Sequence, residues 1–268
     1  MLQNISSILP VGVTSAQIRA RDEVCSKHGA YVAKLGLRDL WTRCPQCVAE
    51  EQKAETKQLL AVMQAENQAK QKIMAVEKAI VDAGIPKRFR DKRINHYVAN
   101  TAEQKNAKSF AVEFVKEFET EHSGRNVVFH GNRGNGKNHL ACAIANAVIE
   151  RFGKTAHFTT ANDMLRRIRE AKSFDSNVTE SQVIDALVSF DLLVVDEVRI
   201  LNQNSEADAR AFFDVFNARY AEMRPTIFIC NGDLIEFEKS VGDLTMSRMK
   251  ETGGRPWNVL FSWEDYRK

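Results

Sequence analysis

The 268-residue sequence has no long apolar run, only five prolines and very little net charge. Its longest apolar stretches, such as Leu192 to Val195 and Ile227 to Cys230, are far shorter than the ~20 residues that cross a bilayer. We therefore expect no membrane partner. The N-terminal segment lacks the basic and apolar regions of a signal peptide, which predicts a cytoplasmic protein. The odd number of cysteines, five, argues against a disulfide framework.

The positive and negative charges nearly balance, with 38 lysines and arginines against 35 acidic residues and a net charge of +3. The 44% of apolar residues excludes wholesale disorder. Local basic clusters say more about binding partners than the net charge does. Five cations surround Asp91 between Lys87 and Arg93, and three lie between Leu165 and Arg169. Either cluster can meet phosphate groups or simply form a solvated face.

Four potential metal ligands occur as two close pairs near the N-terminus: Cys25 with His28, and Cys44 with Cys47. A C-x2-H pair and a C-x2-C pair each place two ligands on one turn, as a tetrahedral zinc ion requires. We interpret the fifteen residues between the pairs as the loop that brings them together. A small module gains from zinc the stability that its core cannot supply. The alternative is cysteines that pack as small apolar side chains.

The segment from Val48 to Ala83 contains neither glycine nor proline and is rich in strong helix formers. It predicts one long helix that Gly84 and Pro86 terminate. Its apolar positions do not hold a heptad register, so a solvated connecting helix and a partner-binding helix both remain open. We therefore predict three parts: a zinc module at residues 1–50, a helical linker or partner-binding helix at 51–83, and a larger domain at 84–268.

Beyond Pro86 the sequence alternates predicted helices with short apolar strands, a pattern typical of an α/β fold with a parallel, doubly wound sheet. The helices are expected near residues 103–121, 137–151, 161–172, 179–188 and 205–222. The strands are expected at 126–130, 156–159, 192–196, 226–230 and 259–262. Ligands bind such sheets at the carboxyl ends of the strands, so chemistry-bearing residues are expected directly after each apolar run.

The first of these strands continues into the sequence GNRGNGKNH and then into a helix, which is the context of a phosphate-binding P-loop. Backbone N–H groups of such a loop surround the phosphates, and Lys137 neutralises them. Asn138 stands where serine or threonine normally ligates magnesium, which predicts altered turnover. The expected nucleotide-binding residues are Asn132, Arg133, Gly134, Asn135, Gly136, Lys137, Asn138 and His139.

The strand 192–196 ends in Asp196 and Glu197, the pattern of a Walker B element. Asp196, together with Asn138, is expected to hold Mg²⁺, and Glu197 to orient the attacking water. Asn231 follows the next strand, where its amide can reach the γ-phosphate or that water. By itself, the segment from Asn231 to Asp233 also fits an ordinary turn.

Together these motifs, GNRGNGKNHLA, FDLLVVDE, RPTIFICN and the terminal SRM and FSWEDYR, resemble those of the DnaC/DnaI-type helicase loaders, a branch of the AAA+ ATPases. The resemblance covers Gly84 to the C-terminus, includes the GIPKRF segment, and extends to the asparagine after the P-loop lysine. It implies that Asn231 acts as sensor 1. It also implies that Arg248 is an arginine finger acting on a neighbouring subunit, so that the protein self-associates in its ATP state. Without the resemblance, Arg248 is an ordinary surface arginine.

The resemblance further implies a helical insertion that binds single-stranded DNA. Arg166, Arg167 and Arg169 would contact its backbone, and Phe174 would either stack on a base or belong to the core. The N-terminal region is expected to dock on the hexameric replicative helicase. We thus expect an ATP-dependent loader that places this helicase on single-stranded DNA during replication initiation. Its ATPase would be slow and stimulated by partners, and hydrolysis would release the loader.

Two other functions remain open. An IstB-like transposition helper shares nearly the same ATPase motifs, whereas a non-catalytic DNA-binding adaptor would treat the nucleotide as structural. The expected cofactors are ATP, Mg²⁺ and Zn²⁺.

Overall fold

The fold is taken from a computed structural model that describes residues 19–36, 39–120, 124–173, 176–198, 206–251 and 255–265. The chain divides between Gln71 and Lys72 into two compact units. The three-part division expected from the sequence stays a prediction.

The described part of the first unit opens with an antiparallel hairpin. Strand β1 comprises Ala20–Cys25 and strand β2 comprises Gly29–Lys34, with Cys25 opposite Gly29 at the turn. Gly29 has a φ of 79°, in the left-handed region that glycine adopts at little cost. The interval after His28 is therefore not a loop throughout, as the sequence predicts, because β2 occupies its first part. Most residues of the two strands are exposed, so the apolar pattern that normally reveals a strand is weak here.

Helix α1 runs over Pro45–Asp82, three residues earlier at its start and one earlier at its end than predicted. Proline is well suited to the first helical position, because its missing N–H has no partner there in any case. Of the α1 residues, only Ile80 is buried. None of the helices in the described ranges combines the length and apolar character needed to cross a membrane.

The second unit contains the alternating elements that the sequence predicted, with bounds that mostly differ by one or two residues. The predicted helices are α2 (Ala102–Lys116), α3 (Lys137–Phe152), α4 (Ala161–Ala171), α5 (Glu180–Ser189) and α6 (Glu206–Ala221). Two further helices, α7 (Leu234–Val241) and α8 (Asp243–Lys250), were not among those predicted. The strands are β3 (Val127–Gly131), β4 (Ala156–Thr160), β5 (Leu192–Asp196), β6 (Thr226–Ile229) and β7 (Asn258–Phe261). Helix α2 stops five residues earlier than expected and continues as a 3-10 turn at Glu117–Glu119.

The five strands form one sheet in the order β4-β5-β6-β3-β7, and every neighbouring pair is parallel. Alternate strand residues enter two separate cores: Val127 and Phe129 pack in one, and Val128 in the other. Helices α2 and α3 contribute to the first core, and α4 and α6 to the second. The predicted parallel, doubly wound α/β sheet is therefore confirmed.

Candidate functional site

The loop between β3 and α3 has a backbone conformation that requires glycine. Gly131 has a φ of 121°, and a Cβ atom there would lie 2.3 Å from the backbone oxygen of Phe261. Gly136 has a φ of 92° and directly precedes the first residue of α3. The loop thereby curls tightly and ends at a helix N-terminus, where the partial positive charge favours an anion.

Lys137 lies within the curve of this loop. Its ammonium group donates hydrogen bonds to the backbone oxygen of Gly131 at 2.9 Å, to that of Asn132, and to Oδ1 of Asn135 at 3.2 Å. The lysine residue is only 3% exposed. A positive charge is therefore fixed where the loop N–H groups and the helix N-terminus also favour phosphate oxygens.

Asn135 connects the loop to two distant segments of the second unit. Its backbone oxygen accepts hydrogen bonds from Nε1 of Trp263 at 2.8 Å and from the hydroxyl of Tyr97 at 3.4 Å. Its side-chain amide donates to the backbone oxygen of Phe261. The sequence identified Asn135 as a loop residue, but these contacts depend on residues up to 128 positions away.

The predicted P-loop and the predicted Walker B element meet through a direct side-chain contact. The amide of Asn138 donates a hydrogen bond to Oδ2 of Asp196, and Oδ1 of Asp196 accepts one from the Glu197 backbone N–H at 2.7 Å. Burial raises the pKa of Asp196 above its usual value, while these two hydrogen bonds oppose the shift. Glu197 has a φ of 55°, and its exposed side chain borders the same cavity. A cation at this position would favour the ionised form of Asp196.

Asn231 lies at the carboxyl edge of the sheet, just beyond β6, between the loop after β3 and the acids after β5. Backbone hydrogen bonds fasten the three strand ends together: Cys230 N to Phe129 O at 2.9 Å and Val198 N to Ile229 O at 3.0 Å. Asn231 also borders the cavity that contains the P-loop and the two acids.

This cavity has a volume of about 630 Å³. Its lining includes residues 133–139 with Asp196, Glu197 and Asn231. The segment before α2 contributes the other lining residues, Arg88, Phe89, Lys92, His96, Tyr97 and Val98. Of the basic cluster found in the sequence, Arg88 and Lys92 thus face the cavity, whereas Arg93 pairs with Glu150.

Asn146 of α3 binds the backbone of the lining segment around Phe89 and Lys92 and was not identified from the sequence. Its buried Nδ2 donates to the backbone oxygens of Phe89 at 2.9 Å and Lys92 at 2.8 Å. The sequence offers one signal for it, a single polar residue within the apolar stretch ACAIANAVI, because such a residue usually has a hydrogen-bonding task.

In the first unit, Cys25, His28, Cys44 and Cys47 converge on one point. Their ligand atoms all lie within 4.8 Å of one another. The Cys25 and Cys47 sulfurs are 3.6 Å apart, and Nδ1 of His28 is 3.3 Å from the Cys47 sulfur. Tetrahedral zinc with bonds of about 2.3 Å separates two sulfurs by about 3.8 Å, so the cluster fits that ion.

A family model described as IstB-like ATP binding protein matches residues 30–249. The chain belongs to this family. It is 29% identical over 218 residues to the replicative helicase loader DnaC of Escherichia coli strain K12, covering 81% of this chain and 86% of the relative. The resemblance to DnaC-type loaders is therefore confirmed.

Solved structures support the fold of this IstB-like protein. The crystal structure of the DnaC helicase loader aligns with a TM-score of 0.57 at 20% identity, over 67% of this chain and 100% of that one. The replication initiator DnaA bound to AMPPCP and single-stranded DNA aligns with a TM-score of 0.55 at 19% identity, over 67% and 51%. The predicted AAA+ fold is confirmed.

Arg248 of this IstB-like protein lies on α8, and no residue of α8 is among those that line the cavity containing the P-loop. It bonds Oδ1 of Asn217 on α6, and its guanidinium lies 5.1 Å from the ring centre of Phe213 and 5.4 Å from that of Tyr220. The structure thus does not bring Arg248 to the site of its own chain. Its predicted action on a neighbouring subunit stays a prediction.

The predicted DNA-binding arginines lie together on α4 but differ in their partners. Arg166 pairs with Asp163 and Glu170, and Arg169 makes two bonds of 2.8 Å to the carboxylate of Asp208. Arg167 is exposed and has no ion pair among the residues that the structure describes. Phe174 lies outside the described residues.

Proposed function

We propose that this protein is an ATP-dependent loader that binds the hexameric replicative DNA helicase and helps place it on single-stranded DNA during replication initiation. The observation that carries the proposal is the P-loop, acid pair and strand-end asparagine around one cavity, in a chain similar to a replicative helicase loader over 81% of its length. ATP hydrolysis would act as a release switch.

Within the cavity, the proposed roles follow from position. Lys137 and the loop N–H groups would hold the phosphates, and Asn138 and Asp196 would hold Mg²⁺, which stabilises charge on the transferred phosphoryl group. Glu197 would orient and deprotonate the attacking water. Asn231 would contact the γ-phosphate or that water.

The contacts of Asn138 support the proposal that ATP hydrolysis is slow and stimulated by partners. Both carboxylate oxygens of Asp196 already accept hydrogen bonds, one from Asn138 and one from Glu197 N–H. A metal ion would compete with the Asn138 amide, or take the amide oxygen after the side chain turns. Arg248 from a second subunit would complete the charge stabilisation, so self-association would accompany the ATP state.

The N-terminal part of the chain would bind the helicase. Helix α1 exposes apolar side chains that a partner can cover, among them Leu59, Leu60, Val62 and Met63, which are 51–61% exposed. Zinc held by Cys25, His28, Cys44 and Cys47 would be structural, because the four protein ligands leave no open position.

The test is the mass, by light scattering, of mixtures of this protein with the replicative hexameric helicase of its host, with and without ATP. We expect a discrete mixed complex whose mass gives the stoichiometry. DNA binding without any association under either condition would contradict the loader.

Replacing Glu197 with glutamine is expected to abolish most hydrolysis while ATP binding persists, because the amide cannot take the proton of the attacking water. We expect the ATPase rate to fall by roughly 100-fold or more, as for loss of a general base, and the mixed complex to become longer-lived. Steady-state phosphate release measures the rate, with the exposed Glu222→Gln variant as control. An unchanged rate and complex lifetime would favour the non-catalytic adaptor.

The family match favours a second candidate, the IstB-like transposition helper that acts with a transposase on DNA. It shares the nucleotide chemistry and differs in its client. The light-scattering experiment separates the two candidates, because only the loader binds the helicase.

Single-stranded DNA binding is expected to depend on Arg167 more than on Arg166. Arg166 is already neutralised by two acidic neighbours on its own helix. Arg167→Ala should weaken binding to oligo-dT about severalfold and reduce the slope of log affinity against log salt by about 0.7, the value for one contact to a single-strand phosphate. Fluorescence anisotropy across a salt series measures both quantities. Equal effects of the two variants would exclude a specific role for Arg167.

A further inference from the structure

The two ring nitrogens of His28 face different partners. Nδ1 lies 3.3 Å, 3.7 Å and 3.8 Å from the three cysteine sulfurs of the cluster. Nε2 lies 3.1 Å from Oε1 of Glu50. An imidazole that binds a metal through one nitrogen carries its proton on the other. The geometry therefore makes Nδ1 the nitrogen that faces the metal and Nε2 a donor to Glu50.

Local structure explains why these two side chains meet. His28 lies in the turn of the β1–β2 hairpin, one residue before Gly29, and the turn directs its ring toward the start of α1. Cys47 and Glu50 are three residues apart on α1, so they lie on the same face of the helix, one turn from each other. The metal ligand and the carboxylate are thus presented together to one imidazole.

The second oxygen of Glu50 is also engaged. Oε2 pairs with the ammonium of Lys27, the residue adjacent to His28. Zinc with three thiolates and a neutral imidazole carries a net charge of about −1, so a further carboxylate nearby needs compensation. Lys27 supplies that positive charge and limits the directions in which the carboxylate can point.

We infer that Glu50 is a positioning residue of the zinc site: it accepts the Nε2–H hydrogen bond of His28 and thereby fixes the tautomer and ring orientation that present Nδ1 to the metal. Such carboxylate–histidine contacts orient metal ligands and increase their basicity. The inference rests on the zinc binding proposed above.

The test measures the Zn²⁺ affinity of the full chain by competition with a chromophoric chelator. Glu50→Ala should weaken zinc binding by ~10- to 100-fold, the usual effect of losing such a partner. Glu50→Gln keeps an oxygen acceptor without the charge, so its zinc affinity should lie between those of the wild type and Glu50→Ala. Glu51→Ala is the matched control, because Glu51 is equally exposed and also pairs with a cation, Arg43, but does not contact His28. It should bind zinc like the wild type.

A spectroscopic measurement separates positioning from general stabilisation of the module. Long-range ¹H–¹⁵N spectra of the zinc-loaded wild type should show metal at Nδ1 of His28 and a slowly exchanging proton at Nε2. In Glu50→Ala this proton should exchange rapidly. Coordination through Nε2, or equal zinc affinity in Glu50→Ala and Glu51→Ala, would overturn the role of Glu50 alone. A wild-type chain that binds no zinc would overturn the zinc site together with it.

Discussion

Replacing Lys137 with alanine is expected to abolish ATP binding. The ammonium group is fixed inside the P-loop by three oxygen acceptors, and phosphate oxygens would become its partners when nucleotide binds. Each hydrogen bond to a charged group contributes about 1.5–3 kcal/mol, so two lost phosphate contacts weaken binding by roughly 100-fold or more. Titration with ATP by calorimetry measures the loss, and the exposed Lys105→Ala variant serves as control.

The same variant tests the switch mechanism. Lys137→Ala should fail to form the ATP-dependent complex with the helicase, because the nucleotide would no longer stabilise the assembling state. Circular dichroism must first establish that it folds, since its loss also removes a donor from the Gly131 and Asn132 carbonyls. A folded Lys137→Ala protein that loads helicase as efficiently as the wild type would contradict ATP as the switch.

Arg219→Met is expected to destabilise the protein more than any other single substitution considered above. Arg219 is fully buried on α6, where its guanidinium donates to Thr226 Oγ1 and to four backbone oxygens. Three of those oxygens belong to Leu187, Val188 and Phe190, at the carboxyl end of α5 and just beyond it, where carbonyl groups have no partner within the helix. Burial lowers the pKa of Arg219 to about 9, so the group stays charged at neutral pH.

Methionine fills the space of the arginine stem but leaves these oxygens without donors. Each buried unsatisfied group costs about 1–3 kcal/mol, so the free energy of unfolding should fall by at least ~3 kcal/mol. The Tm should fall by roughly 6–12 °C for a unit of this size. Arg210→Met on the same helix is the control, because Arg210 is 73% exposed and its one ion pair within the described residues is with Glu206, at 3.5 Å. Its Tm should hardly change, and an equally small effect of Arg219→Met would exclude a structural role for the buried guanidinium.

The sequence predicted the elements of the second unit well because its signals are local. Strands such as Leu192–Asp196 are short apolar runs followed directly by the residues that carry chemistry, so the position of Asp196 follows from chain order alone. The parallel sheet then brings Asp196, Asn138 and Asn231 to one edge. Their roles in hydrolysis stay predictions.

The parts that were missed depend on contacts between residues far apart in the chain. Asn146 binds a segment 54 to 57 residues earlier, which no local pattern reveals. The β1–β2 hairpin was not predicted because its strands are mostly exposed and lack a clear apolar face. The ion pairs of Arg166 and Arg169 were not predicted, and Asp208 becomes the partner of Arg169 only through the packing of α4 on α6. The role of these arginines in DNA binding stays a prediction.

The shared carbonyl of Asn135 has a thermodynamic consequence. Trp263 and Tyr97 both donate to it, so the P-loop, the segment after β7 and the segment before α2 share one hydrogen-bonded centre. If ATP tightens these contacts, a partner that tightens them from outside the cavity must also raise the affinity for ATP. It does so by the factor by which ATP raises the affinity for that partner, because coupling free energies are reciprocal. A partner that grips either segment would thereby act as an effector of nucleotide binding without touching the nucleotide.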